Sequence, residues 1–196
     1  MKKLFNLGVF LMTASCVGAQ VSTLDDFEKK RIRIDKTGML TLAGWSAANL
    51  AIGAIGTNSS NREHKYFHQM NLTWGAVNLL VAGLGFHGSK EIVVGVNLSD
   101  VLLHQNKKEK IFLLNAGLDV AYITGGLYLR ERSRRNVDPA KLKGYGNSVI
   151  LQGGFLLLFD AVMYSVHHTH GKQLRGFTDK VSLSGTPAGM ALVYRL

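Results

Sequence analysis

Charge is what this chain lacks over most of its length. No Lys, Arg, Asp or Glu occurs from Thr37 to Asn61 or from Tyr66 to Ser89. Asp119 is the only charged residue from Ile111 to Leu129, and Asp160 the only one from Gly144 to Gly171. Each stretch reaches the ~20 residues that cross ~30 Å of hydrocarbon. Proline is scarce, at two residues, so little interrupts long helices. Cysteine occurs once, at Cys16. No G-x-S-x-G, Walker A or H-E-x-x-H pattern is present, so the chain carries no signature of a serine hydrolase, a P-loop enzyme or a zinc protease.

The charge that exists sits at the edges of the apolar stretches. Lys29, Lys30, Arg31 and Arg33 precede the first, and Arg130, Arg132, Arg134 and Arg135 follow the third. With a formal net charge of +10, this placement suits anionic lipid head groups. Nucleic acid is not an expected partner, because that needs a basic face with stacking aromatics on a soluble fold. Glycine is abundant, at 22 residues, which membrane helices tolerate better than soluble ones.

The N-terminus reads as a secretory signal. MKK is its charged region, LFNLGVFLMTASCVG its apolar region, and Val17-Gly18-Ala19 offers small residues before a cut at Gln20. An uncleaved first span is the alternative. A cut after Ala19 removes Cys16, which excludes disulfides, thiol chemistry and Cys-ligated zinc from the rest. The expected layout is a signal peptide over 1–19, a polar N-terminal helix over 20–37, a four-span transmembrane domain over 38–170 and a tail over 171–196. The spans fall at about 38–56, 68–87, 111–129 and 148–167. The fold class is therefore an all-α membrane protein, a four-helix transmembrane bundle. In the tail, two apolar pieces flank Gly185-Thr186-Pro187-Ala188-Gly189, which reads as a short β-hairpin, with a disordered tail as the alternative.

A cleaved signal sends span one inward and places the 130–147 loop, with six Lys/Arg, in the cytoplasm of a multi-pass inner-membrane protein. Residues 20–37, with five Lys/Arg, then run against the positive-inside rule.

The polar residues inside the spans are not scattered. Residues three or four apart share a helix face. His68, Asn71, Gly75 and Asn78 form one stripe in span two. Asn115, Asp119 and Tyr122 do so in span three, Gln152, Asp160 and Tyr164 in span four, and Trp45 and Asn49 in span one. Four packed spans would turn these faces inward. Counting ~1.5 Å per residue from the outer ends puts Asn49, Asn78, Asp119 and Asp160 in one layer, slightly outward of the midplane. Such a layer either fixes helix pairing through hydrogen bonds or works as a proton relay or polar ligand pocket. Both readings stand. An ionised Asp at that depth costs ~2.5–3.5 kcal/mol, so the two aspartates need partners or protons.

The histidines offer a weaker pattern. His87, His104, His167, His168 and His170 fall on one side of the membrane, where spacing of this kind can hold a metal. Ordinary interfacial histidine explains them as well. No cofactor is expected.

GMLTLAGWSAANLAIG, FHQMNLTWGAVNLLVAGLG, NAGLDVAYITGGLYLRER and KGYGNSVILQGGFLLLFDAVMY resemble an uncharacterised four-helix membrane protein family, a domain of unknown function typical of Bacteroidota. The resemblance covers about residues 38–170. It implies membership and topology, and brings no functional residues. Three functions fit: a structural or partner-binding membrane protein, with a homo-oligomer or membrane partner; a small proton-coupled carrier; and a His-based metal protein.

Overall fold

In the computed structural model, four helices and a two-stranded ribbon follow in chain order. They are α1 (Lys2–Gly56), α2 (Arg62–Gly88), α3 (Leu98–Ser133), α4 (Pro139–Thr178), β1 (Val181–Thr186) and β2 (Gly189–Tyr194). The structure describes residues 2–89, 97–178, 181–186 and 189–194, with side chains described for 24–89 and 97–174. The strands pair antiparallel, Val181 opposite Tyr194 and Thr186 opposite Gly189. Pro187 and Ala188 lie outside the described residues, as do the side chains of the signal segment around the expected cut before Gln20.

The helix boundaries follow from local chemistry. Asn61 caps α2, its Oδ1 accepting from the backbone N–H of Glu63 at 2.9 Å and of His64 at 3.2 Å. Asn97 caps α3 in the same way, accepting from Asp100. Asp138 accepts from Lys141 N–H, and Pro139 begins α4, where a missing N–H costs nothing. α1 runs unbroken through residues 20–56, so the polar helix continues directly into span one as a single element. α3 likewise joins Leu98-Ser99-Asp100 to span three, because Lys107, Lys108 and Lys110 interrupt the hydropathy but not the helix.

Three helices are long and apolar enough to cross a membrane: Leu24–Gly56, Leu98–Ser133 and Pro139–Leu174. That marks a membrane protein. The expected fourth span, α2, is long enough but is not among the three. Asn71, Asn78, Trp74 and His87 hold its hydropathy down.

α1 and α2 pack as one antiparallel hairpin and α3 and α4 as another, with α2 also lying against α4. The backbones of α2 and α3 do not pack together. Close approach within each hairpin depends on glycine. A Cβ on Gly126 would stand 2.8 Å from the carbonyl oxygen of Gly146, and one on Gly75 3.1 Å from that of Ser46. The bundle is polar inside and apolar outside. Leu80, Leu84, Leu114 and Leu158 are each more than 60% exposed, while Asn71, Asn78, Asp119 and Gln152 are buried.

Candidate functional site

Gln152, fully buried on α4, ties three helices together. Its Oε1 accepts from Trp45 Nε1 at 2.9 Å. Its Nε2 donates to Asn49 Oδ1 at 2.6 Å and to Asn71 Oδ1 at 3.0 Å. Ser148 Oγ donates to the same Asn71 oxygen at 2.6 Å, and Asn49 Nδ2 donates to the Trp45 carbonyl at 2.8 Å. The Trp45 ring is fixed by stacking on Phe155, with centroids 4.0 Å apart. The network is closed and its chemistry is structural: buried amides that satisfy one another fix which helix faces which.

Leu42, Ala82 and Leu156 form an apolar cluster against which Trp74, Phe155 and Phe159 pack. Between α2, α3 and α4 lies a cavity of about 330 Å³. Asn78, Asn115, Asp119 and Asp160 give it polar walls, with Lys108, paired to Asp35, at its edge, and Trp74, Tyr122, Phe112 and Phe159 give it aromatic ones. Asp119 and Asp160 are neighbours in this wall, and Asn115 stands beside Asp160. Trp74 and Tyr122 meet edge-on at 5.0 Å across the gap between α2 and α3. Asn78 is 4% exposed and Asp119 2%. Nevertheless, among the described residues, Asn78 Nδ2 and Asp119 Oδ2 have no hydrogen-bond partner.

The single layer expected from Asn49, Asn78, Asp119 and Asp160 is therefore two. Asn49 joins the Gln152 network, whereas the other three line the cavity. On α4 the two centres, Gln152 and Asp160, are eight residues and so ~12 Å apart.

A third centre was not expected. Asp35, 1% exposed, receives Arg31 Nη1 and Lys108 Nζ on Oδ2, each at 3.1 Å, and His167 Nε2 stands 3.1 Å from its Oδ1. Arg31 also pairs with Glu28 at 2.7 Å. His167 stacks on Phe112, and Gln105 Nε2 donates to the His167 carbonyl at 2.6 Å. This ionic cluster locks α1, α3 and α4 together at the end opposite the 130–147 loop.

A family of unknown function, DUF6992, matches residues 41–161 by its family model. The chain belongs to DUF6992. No curated protein and no solved structure matches it. The DUF6992 segment holds the whole Gln152 network and, with Lys108, all five of these polar and charged residues of the cavity. Asp35 and His167 lie outside it.

The remaining expected residues fall as follows. His68 is half-buried beside Gly56, meeting Phe67 edge-on. Tyr164 stacks on His168, whose Nδ1 lies 3.0 Å from Glu109 Oε2. His170 stacks on Phe27 and bonds to its carbonyl at 3.1 Å. His87 and His104 are exposed. His167, His168 and His170 thus go to separate partners, and among the described residues no three of His, Cys, Asp and Glu gather as a metal site. Gly83-Leu84-Gly85-Phe86-His87-Gly88 has the spacing G-x-G-x-x-G, but it lies within the last turns of α2 and not between a strand and a helix, so it cradles no phosphate.

Sequence reasoning missed Ser148, Gln105, Lys108 and Asp35. The first three were within reach: each extends a stripe already read, Ser148 ahead of Gln152 and Asp160, and Gln105 and Lys108 ahead of Asn115 and Asp119. Glu28, Arg31 and Asp35 are spaced by three and four, which looks like a solvated helix face.

Proposed function

We propose that this is a four-crossing protein of the cell inner membrane that binds a small ammonium-bearing ligand in the cavity between α2, α3 and α4. One observation carries the reading: two nearly inaccessible polar atoms, Asn78 Nδ2 and Asp119 Oδ2, belong to residues that line a cavity and have no partner among the described residues. Buried polar groups are otherwise almost always paired. Two carboxyls with Trp74 and Tyr122 beside them suit a cation, which carboxylates attract and aromatic faces favour. Two neighbouring carboxyls in a low-dielectric wall repel each other when both are ionised, so they are held with one proton between them. An entering cation displaces that proton, so binding is linked to proton release.

Four crossings follow from how α2 is held. It runs antiparallel along α1, with Gly53 beside Leu72, Gly75 beside Leu50 and Gly85 beside Met39. A helix laid along a crossing helix through this depth crosses the same slab. A cleaved signal over 1–19 and a cytoplasmic 130–147 loop, supported by its six Lys/Arg, orient the bundle.

The test uses octylammonium on the purified full chain in detergent. The expected result is a concentration-dependent rise in melting temperature, as for any ligand bound by the folded state alone. Octanoate gives none, and Asp119→Asn/Asp160→Asn loses the response. A rise that is equal with octanoate, or unchanged in the variant, overturns the reading.

The bare gap between α2 and α3, bridged by Trp74 and Tyr122, supports a second reading, in which a partner helix or a second copy inserts a basic side chain there. Crosslinking across that gap in membranes distinguishes the two: a crosslinked oligomer or complex supports a protein partner, and a monomer supports the small ligand.

A further inference from the structure

We propose that the outer groove between α1 and α4 is a binding site for one acyl chain of an anionic phospholipid, with the phosphate held by Lys30 and Arg33. This site is separate from the cavity and does not rest on its reading.

The groove has a volume of about 580 Å³ and is lined almost wholly by apolar atoms, among them Ile34, Gly38, Phe155, Leu158 and Val162. Its length has a meaning. On α1 it extends from Lys30 to Thr41, and on antiparallel α4 from Val166 to Phe155. Each is eleven residue steps, or ~16 Å. That is about half of the ~30 Å hydrocarbon thickness, one leaflet. Gly38 lets α4 close the floor of the groove, since a Cβ there would meet the sulfur of Met163 at 2.6 Å. The flanking Leu158 and Val162 are 66% and 51% exposed, as lipid-facing side chains are.

The polar end is equally specific. Among the basic residues before span one, Lys29 pairs with Asp26, and Arg31 with Glu28 and Asp35. Lys36 lies over the Phe86 ring. Among the described residues, Lys30 and Arg33 have no carboxylate partner, and these are the two that line the groove. They are three residues apart and share one helix face. A guanidinium and an ammonium together match a phosphate diester. Beyond them the groove continues into a smaller cleft, again lined by Lys30, Ile34 and Val166, where Ser165, Thr169 and Gln173 offer hydrogen bonds at head-group height. Chain-length apolar space ending in two uncommitted cations fits an anionic lipid and not a neutral one.

The test compares phosphatidylglycerol with phosphatidylcholine, titrated onto the purified full chain in detergent and read by native mass spectrometry. Wild type is expected to retain phosphatidylglycerol with a preference of about fivefold for each of the two basic side chains. Lys30→Gln/Arg33→Gln is expected to lose the preference while keeping its melting temperature in phosphatidylcholine, since neither side chain supports the fold. Val162→Trp, which fills the groove, is expected to lower retention of both lipids. Equal retention of the two lipids by wild type overturns the proposal, as does a preference that survives the double substitution.

Discussion

Replacing Gln152 with leucine separates the structural centre from the cavity. The change keeps volume and helix propensity, so what it removes is the amide. Trp45 Nε1 and Asn49 Oδ1 lose their interhelical partner, while Asn71 Oδ1 keeps Ser148. Interhelical hydrogen bonds in membrane proteins average ~0.6 kcal/mol, so the three bonds to Gln152 set a floor of ~2 kcal/mol. The ceiling comes from the two stranded atoms, at ~1–3 kcal/mol each. A loss between about 2 and about 6 kcal/mol is therefore expected, read as the unfolding midpoint in a denaturing-detergent titration. Asn78→Leu is the matched control. It removes a similarly hidden amide on a neighbouring helix, but Asn78 Nδ2 has no partner among the described residues to lose. Its expected cost is below ~0.5 kcal/mol, and relief of an unpaired polar group favours a gain. If Asn78→Leu destabilises as much as Gln152→Leu, the division of the interior into a closed network and an open cavity is wrong.

Three further outcomes are expected. Gly126→Ala should loosen the α3–α4 hairpin, because its Cβ meets the Gly146 carbonyl, whereas the adjacent Gly125→Ala meets nothing and should hold or raise the melting temperature. Asp35→Leu should cost about 3 kcal/mol, the low end for breaking a buried ion pair, because Arg31 keeps Glu28 and Lys108 is 31% exposed. Adding Lys108→Leu should recover part of it, and strictly additive costs would show that the two residues are not coupled. In weakly buffered detergent, octylammonium should release about one proton per molecule bound if Asp119 and Asp160 share one. A pH-indicator dye reads this, and the double Asn variant should release none.

Much of the interior was legible because helices repeat every 3.6 residues. Gln152, Asp160, Asn115, Asp119, Asn71 and Asn78 were read as inward-facing from spacing alone, and all line the network or the cavity. Depth was not legible. Counting from hydropathy boundaries puts Asn49 level with Asp160, but the glycine contacts of α2 set the register, and they put Asn49 beside Asn71. The ionic cluster was hidden for another reason. Glu28, Arg31 and Asp35 lie in a stretch whose composition reads as solvated, and only the arrival of Lys108 and His167 from other helices buries them. Their partners are 73 and 132 positions away in sequence (108 − 35 and 167 − 35), beyond the reach of any local pattern.

α2 shows how the pieces depend on one another. Its apolar content falls short of that of its three neighbours, and a lone helix with two buried asparagines would enter lipid poorly. Asn71 and Asn78, the two most polar of the residues that lower its hydropathy, lie on its buried face with Gly75 and Ala82. Val77, Leu80, Val81 and Leu84 form its exposed one. The polar face is useful because α1 and α4 are already there to meet it: Ser148 and Gln152 take Asn71, and the Ser46 carbonyl closes on Gly75. On the four-crossing reading, α2 crosses as the inner element of a bundle and not as an independent span. The same face then explains the cavity. Asn71 finds two partners and closes a network. Asn78, two turns further along, faces the side where α3 does not pack, finds none, and leaves a polar wall open to whatever enters.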